Sequence, residues 1–455
     1  MIVNPGHFHA ALTLRQRHPL LRDDVYVYAE DGPEVESFLD IARSFNAREN
    51  DPTRWTLHTY RGDDYFERLL TERPGDIAVL AGKSLGKTAL LHRLHAAGFH
   101  VLCDKPMLIA GAELDLLEGA VTAPPLAMEI MTGRHDPVSR LLKALVGRGD
   151  LFGAFRAGAD PAIDMTSTHH LYKIVNGAPL IRPAWCFDTA VQGEGITDVT
   201  THYVDLAQWL TADAPPDGED LELSAARQWP TEIPRTLFAT ITGLADFPAS
   251  LGQYVADDTL SLLCNAAVTF RARGIPARIE SHWAPAVPDG GGDTHRVAVH
   301  GTRATVTSER SAETGFQSTV TVQPVDGNLD DAMAGAVEAA QDDFPGLSFA
   351  RVADAYRVPI PERLHTTHEE HFSAVLDDFL GHVERGHWPD TLARRLANAG
   401  CRGVAGVTTA NGTGDGARAG GAPSPQMRPA PVGQDLGLRP VIIFYLRPKE
   451  MRRHA

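Results

Sequence analysis

No apolar run in the sequence approaches the roughly 18 residues that a membrane-spanning helix needs. Met1 to His9 carries neither the basic segment nor the apolar stretch of a secretion signal. The reading is a cytoplasmic protein with no membrane partner. Positive charge is also short: 42 Lys and Arg stand against 58 Asp and Glu, a formal charge of −16, so a polyanion is repelled on average and nucleic acid is not expected as a partner. Cysteine is scarce. Cys103, Cys186, Cys264 and Cys401 lie far apart with no CxxC spacing, which argues against a disulfide framework and a thiolate metal site.

What remains is the composition of a globular chain long enough, at 455 residues, for two domains. The first 134 residues alternate short apolar runs with helical patterns, as parallel strands and crossover helices do. Ile2–Val3, Val25–Ala29 and Ile77–Ala81 read as the first three strands, and His100–Cys103 and Leu126–Ile130 follow, with a helix over 89–97. The first strand starts at Met1, so a native start further upstream is expected. After Arg134 a helix over 138–146 leads into strand-like stretches at 237–242, 259–263, 267–272, 296–300, 304–307 and 318–322, separated by Gly, Pro and Asp clusters. The fold class expected is α/β: an N-terminal doubly wound Rossmann sheet, then an α+β domain with a large, mostly antiparallel open sheet. The domains expected are 1–134 for a dinucleotide and 135–390 for substrate and oligomerisation, the latter closed by an acidic, His-rich helix over 367–383. Residues 391–455 form a tail. Positions 400–437 hold 10 Gly and 4 Pro, too little apolar surface to offset ordering, so disorder is expected. Val441–Leu446 reads as a sticky segment, and an out-of-frame tail is a competing explanation of the compositional switch.

Asn4-Pro5-Gly6-His7-Phe8-His9 follows the first strand, where a dinucleotide-binding turn belongs. Measured against GxGxxG, only the middle glycine is present. Gly6, His7, Phe8 and His9 are the candidate cofactor contacts there, joined by Gly82 and Lys83 after the third expected strand. Glu30, closing the second strand, is placed to bond a ribose 2′-hydroxyl, so NAD is slightly preferred over NADP. A rival pattern, Ala81-Gly82-Lys83-Ser84-Leu85-Gly86-Lys87-Thr88, approaches the phosphate-binding loop GxxxxGK[ST] with only its first glycine missing, and would put Lys87 on phosphates and Thr88 on magnesium. His365, His368 and His371 recur every third residue, a step that drifts around a helix and does not converge on one ion. They read as a solvated helix start, and no metal site is expected.

Two further segments carry a resemblance. Gly98-Phe99-His100-Val101-Leu102-Cys103-Asp104-Lys105-Pro106 resembles the G-K-H-V-x-x-E-K-P signature of the glucose-fructose oxidoreductase and inositol dehydrogenase family (Gfo/Idh/MocA), with Asp104 in place of glutamate. Gly193 to Leu210 resembles the family's Gly-rich turn followed by D-x-G-x-H-x-x-D, with Thr200 in place of glycine. The resemblance spans residues 1 to about 390 and implies an NAD(P)-dependent oxidoreductase acting on a hydroxyl-bearing carbon of a sugar, polyol or related compound. It implies Lys105, Asp198 and His202 as catalytic residues, with Asp104 and Lys105 beside the cofactor, and a homodimer or homotetramer. Asp198 and His202, four apart, project from one helix face, and imidazole is the natural proton acceptor near neutral pH. His169, Lys173 and Trp185 are candidate substrate contacts, with Asp198 and His202. Alternatives are a nicotinamide-dependent lyase or glycosidase that oxidises a sugar transiently, a non-catalytic cofactor or sugar binder, and a P-loop NTPase.

Overall fold

The computed structural model describes residues 1–122, 124–158, 160–175, 178–212 and 221–387. The expected tail, with Val441–Leu446, lies outside these residues. Six parallel strands form the first sheet: β1 (Ile2–Val3), β2 (Asp24–Ala29), β3 (Thr56–Arg61), β4 (Ile77–Leu80), β5 (His100–Asp104) and β6 (Ala127–Ile130), in the order β3-β2-β1-β4-β5-β6. This is the doubly wound order whose switch point lies between β1 and β4, where open α/β sheets bind ligands. The strand Thr56–Arg61 was not expected, so Ile77–Leu80 is the fourth strand. Its sequence, TLHTYR, has no apolar run because it lies on the sheet edge with most of its side chains at least partly exposed. The central strands are covered on both faces, which is why Ala78, Val79 and Leu80 read as one continuous apolar run.

The second sheet is ten-stranded and mostly antiparallel. Along its path run Leu221–Pro234, Thr259–Ala272, Ile275–Ala286, Ile163–Tyr172, Thr294–His300, Ala304–Arg310, Thr319–Pro324, Ala355–Arg357 and Ala350–Val352, with Val255–Ala256 paired beside the second. Ile163–Tyr172 and Ile275–Ala286 are parallel, with Met165 opposite Ile279. The expected strands at 259–263 and 267–272 are one continuous strand. Leu237–Thr242, expected as a strand from its aromatic and β-branched content, is instead within a helix, Arg235–Thr242. Pro234 precedes its first turn and Gly243 closes it in the left-handed region, while Phe238 and Ile241, three apart, bury one stripe. Packing of that stripe overrides local propensity.

The helix Val199–Leu210 packs on the inner face of this sheet. Thr200, the residue that replaces the family's glycine, is buried there and its hydroxyl shares a 2.6 Å hydrogen bond with Ser281. The helix His368–Arg385, capped by Thr367 accepting from the Glu370 amide, lies against the first sheet's elements, where Phe372 meets His9 at 4.5 Å between ring centres. Among the described residues no helix is long and apolar enough to cross a membrane.

Candidate active site

The loops after β1 and β4 flank the switch point and are packed into each other. A Cβ on Gly82 would lie 2.4 Å from the Asn4 carbonyl oxygen, and one on Gly6 would lie 3.2 Å from Gly82 Cα and the Lys83 nitrogen. Gly6 therefore serves the contact between two loops, and both its amide and that of His7 donate to the Ala81 carbonyl, at 3.2 and 3.0 Å. The helix that follows is only four residues, His9–Leu12, all buried. Glu30 is exposed at the end of β2, and Lys83 pairs with Glu34 at 3.6 Å.

The P-loop alternative is overturned. Lys87 is buried with its ammonium donating to the Asp104 carbonyl at 2.9 Å, and Thr88 Oγ1 donates to the Met107 carbonyl at 2.8 Å. Both groups that would serve phosphate and magnesium are consumed in fixing the exit of β5.

A cavity of about 470 Å³ opens between the two sheets, and residues from both line it. From the first come His7, Phe8, His9, Asp104 and Lys105; from the second come His169, Lys173, Arg182, Asp198 and His202; the final helix adds His368 and Phe372. Lys105, at the carboxyl end of a buried strand, forms a close ion pair with Asp198, which caps Val199–Leu210 without bonding its amides. Burial alone would raise the Asp198 carboxyl, but the Lys105 ammonium, with His202 and His169, outweighs it and holds the pKa down at about 2. The lysine responds in kind: burial disfavours its charge, but Asp198, with Asp104 and Glu129, more than compensates, and its pKa is raised. His202 is pushed down to about 3, first by burial and then by the neighbouring Lys105 cation, so its imidazole is neutral.

The turn Gly195–Thr197 sets the helix start. A Cβ on Gly195 would sit 2.0 Å from the Cys264 carbonyl oxygen, so only glycine brings Asp198 this close to the sheet.

His169 and Lys173 converge on a residue the sequence did not single out. Asp293 accepts from Lys173 Nζ at 2.6 Å and bonds His170 Nδ1 at 2.9 Å, with His169 Nδ1 at 3.6 Å. Burial opposes its charge, yet His169 and Lys173 hold its carboxyl far below the usual range. Asp293 follows three glycines and reads in sequence as a turn. Trp185 is not on the cavity wall; it stands across from the β4 loop, with Lys83 Nζ 5.9 Å above its ring. His365 and His368 stand exposed at the helix start, as expected, and His368 also lines the cavity, whereas His371 departs from that expectation by being buried. His365 and His371 are engaged elsewhere, with the Ile360 carbonyl at 3.2 Å and Thr366 Oγ1 at 2.8 Å.

Residues 141–396 match the family described as "Putative oxidoreductase C terminal domain". The structure of "a putative oxidoreductase" from Parabacteroides merdae ATCC 43184 is 35% identical, covers 86% of this chain and 94% of its own, and superposes with a TM-score of 0.82. The chain belongs to the glucose-fructose oxidoreductase and inositol dehydrogenase family. It is thus an oxidoreductase of that type. Two more distant structures share the fold. Levoglucosan dehydrogenase, in complex with NADH and levoglucosan, is 15% identical with a TM-score of 0.54, over 87% of this chain and 93% of its own. A 3-ketoreductase from Actinomadura kijaniata, in complex with NADP and TDP-benzene, is 15% identical with a TM-score of 0.51, over 87% and 92%. No curated protein matches the sequence.

Proposed function

We propose that this family member moves a hydride between a nicotinamide dinucleotide and a hydroxyl-bearing carbon of a sugar or polyol. The observation that carries the reading is the Lys105–Asp198 ion pair, joining the β5 terminus to the Val199–Leu210 helix in the wall of a cavity that His202 also lines. Oxidising a carbinol requires the oxygen to lose a proton as carbon loses hydride, and a cation with a neutral base beside it lowers both costs. In this reading Lys105 stabilises the developing oxyanion, His202 accepts the hydroxyl proton, and Asp198 orients the lysine. His169 and Lys173, steadied by Asp293, bind the remaining hydroxyls. Residues 1–134 then serve the nucleotide and 135–390 the substrate.

Residues on the nucleotide side fit a dinucleotide. Glu30 is free at the end of β2 to accept from ribose hydroxyls, which favours NAD over NADP. Ser84 Oγ and Trp185 Nε1, on the two sides of the β4 loop, are buried polar atoms without a hydrogen-bond partner, as groups awaiting a ligand are. The nicotinamide ring would supply the hydride acceptor; the relatives bound to NADH and NADP support its use. A second reading, a sugar binder without turnover, is favoured by the Gly6 and His7 amides being spent on Ala81. Fluorescence titration with NADH and NADPH, followed by a sugar and polyol panel, tests both. Saturable NADH binding with stoichiometric turnover supports the oxidoreductase, and no nucleotide binding overturns it.

A further inference from the structure

His7, His9 and Asp104, expected as cofactor contacts, meet where the β1 loop faces the end of β5, and no proton or hydride step of the proposed reaction is assigned to them. One ring nitrogen from each of His7 and His9 and a carboxylate oxygen of Asp104 all lie within 4.8 Å of one another. Asp104 Oδ2 is 2.9 Å from His9 Nδ1 and 3.8 Å from His7 Nδ1. Ligand atoms on a tetrahedral zinc ion, with bonds of about 2.0–2.2 Å, stand about 3.3 Å apart, so the two separations from Asp104 change by roughly half an ångström each and the two histidine nitrogens, within 4.8 Å of each other, must settle at the same spacing. Asp104 is held for this. Its other oxygen, Oδ1, accepts the Lys105 amide at 3.0 Å, and its carbonyl accepts from Lys87 Nζ. Such outer bonds fix a ligating carboxylate's direction. The His9 amide reaches His7 Nδ1 only at 3.5 Å, a weak contact that coordination through this nitrogen would displace.

We infer that His7, His9 and Asp104 form a binding site for a divalent transition-metal ion of the zinc class. Two imidazoles and one carboxylate are a donor set for such an ion, and three protein ligands leave at least one coordination position for an oxygen of a bound molecule. All three residues line the cavity, so that position opens on the space beside Lys105. The bare alternative is a hydrogen bond between His9 and Asp104 that merely pins the loop to β5.

The test uses the full chain, free of any affinity tag and stripped with chelator, titrated calorimetrically with Zn²⁺ and spectroscopically with Co²⁺. One equivalent should bind, raise the thermal midpoint and give Co²⁺ visible bands of nitrogen and oxygen ligation. His7→Gln and His9→Gln should each weaken affinity about 100-fold or more, while His365→Gln, outside the cluster, leaves it unchanged. His7 is partly exposed, so its variant is expected to fold even where one at Asp104 does not. No binding, or binding lost in His365→Gln and kept in His7→Gln and His9→Gln, overturns the site. NADH titration of the same preparation is a separate reading, so a failed metal site and a failed oxidoreductase assignment give different results.

Discussion

Arg134 grips Asp205 through two hydrogen bonds, from Nε at 2.7 Å and Nη2 at 2.6 Å. The arginine follows β6 of the nucleotide-side sheet, and the aspartate lies on the same helix as His202, one turn further along. This fork explains the last aspartate of the D-x-G-x-H-x-x-D pattern, a residue to which no chemistry attaches. It ties the helix bearing the candidate base to the sheet bearing the candidate cation.

Removing one partner leaves the other charge buried without its fork. Arg134→Ala should therefore destabilise by about 1.5–3 kcal/mol, the scale of hydrogen bonds to a charged group, at an Asp205 that is only 5% exposed. Urea unfolding monitored by fluorescence gives the value. An unchanged midpoint would show that the fork contributes nothing.

Lys105→Ala and His202→Ala should each lower kcat by about 10²-fold or more if they handle the hydroxyl proton. The comparison is made on whichever sugar or polyol supports NADH formation. Full activity in both variants would remove them from the chemistry.

Burial and the groups facing His202, namely Lys105, Asp198, His368 and Asp205, set its acid behaviour. The unfolded chain takes up a proton here as pH falls through about 6.5, while the folded one waits until about 3. Protonation thus favours the unfolded state, so stability falls on acidification from about pH 6.5 downward. His202→Gln should flatten that slope in urea midpoints measured from pH 7 to 4.5. An identical slope in the variant would mean that His202 is not held neutral.

Gly195→Ala should disturb the start of the Val199–Leu210 helix, because the new methyl has only backbone to push against at Cys264. A loss of about 2 kcal/mol or more in stability is expected, with the Lys105–Asp198 contact displaced and turnover reduced. Wild-type stability and kinetics would show that the turn has room to move.

Much of this protein is written locally. Buried parallel strands announce themselves as apolar runs, so β4, β5 and β6 are legible, and Lys105 at a strand end and the Asp198–His202 step on a helix are legible as chemistry. The edge strand Thr56–Arg61 leaves no such trace because solvent covers much of it. Arg235–Thr242 misleads because the packing of Phe238 and Ile241, not their propensity, selects the helix. Lys87 and Thr88 show the same limit: a motif records residue types, and only the fold reveals that two carbonyls already occupy them.

The sequence by itself determined the two architectures and the family, because hydrophobic period and short motifs are properties of neighbours along the chain. Only tertiary structure decided that Asp198 meets Lys105 across 93 positions, that Asp293 gathers His169, His170 and Lys173, and that His7 and His9 converge on Asp104. Those pairings depend on how two sheets close over a shared cavity, and burial there, rather than residue type, sets which groups carry charge.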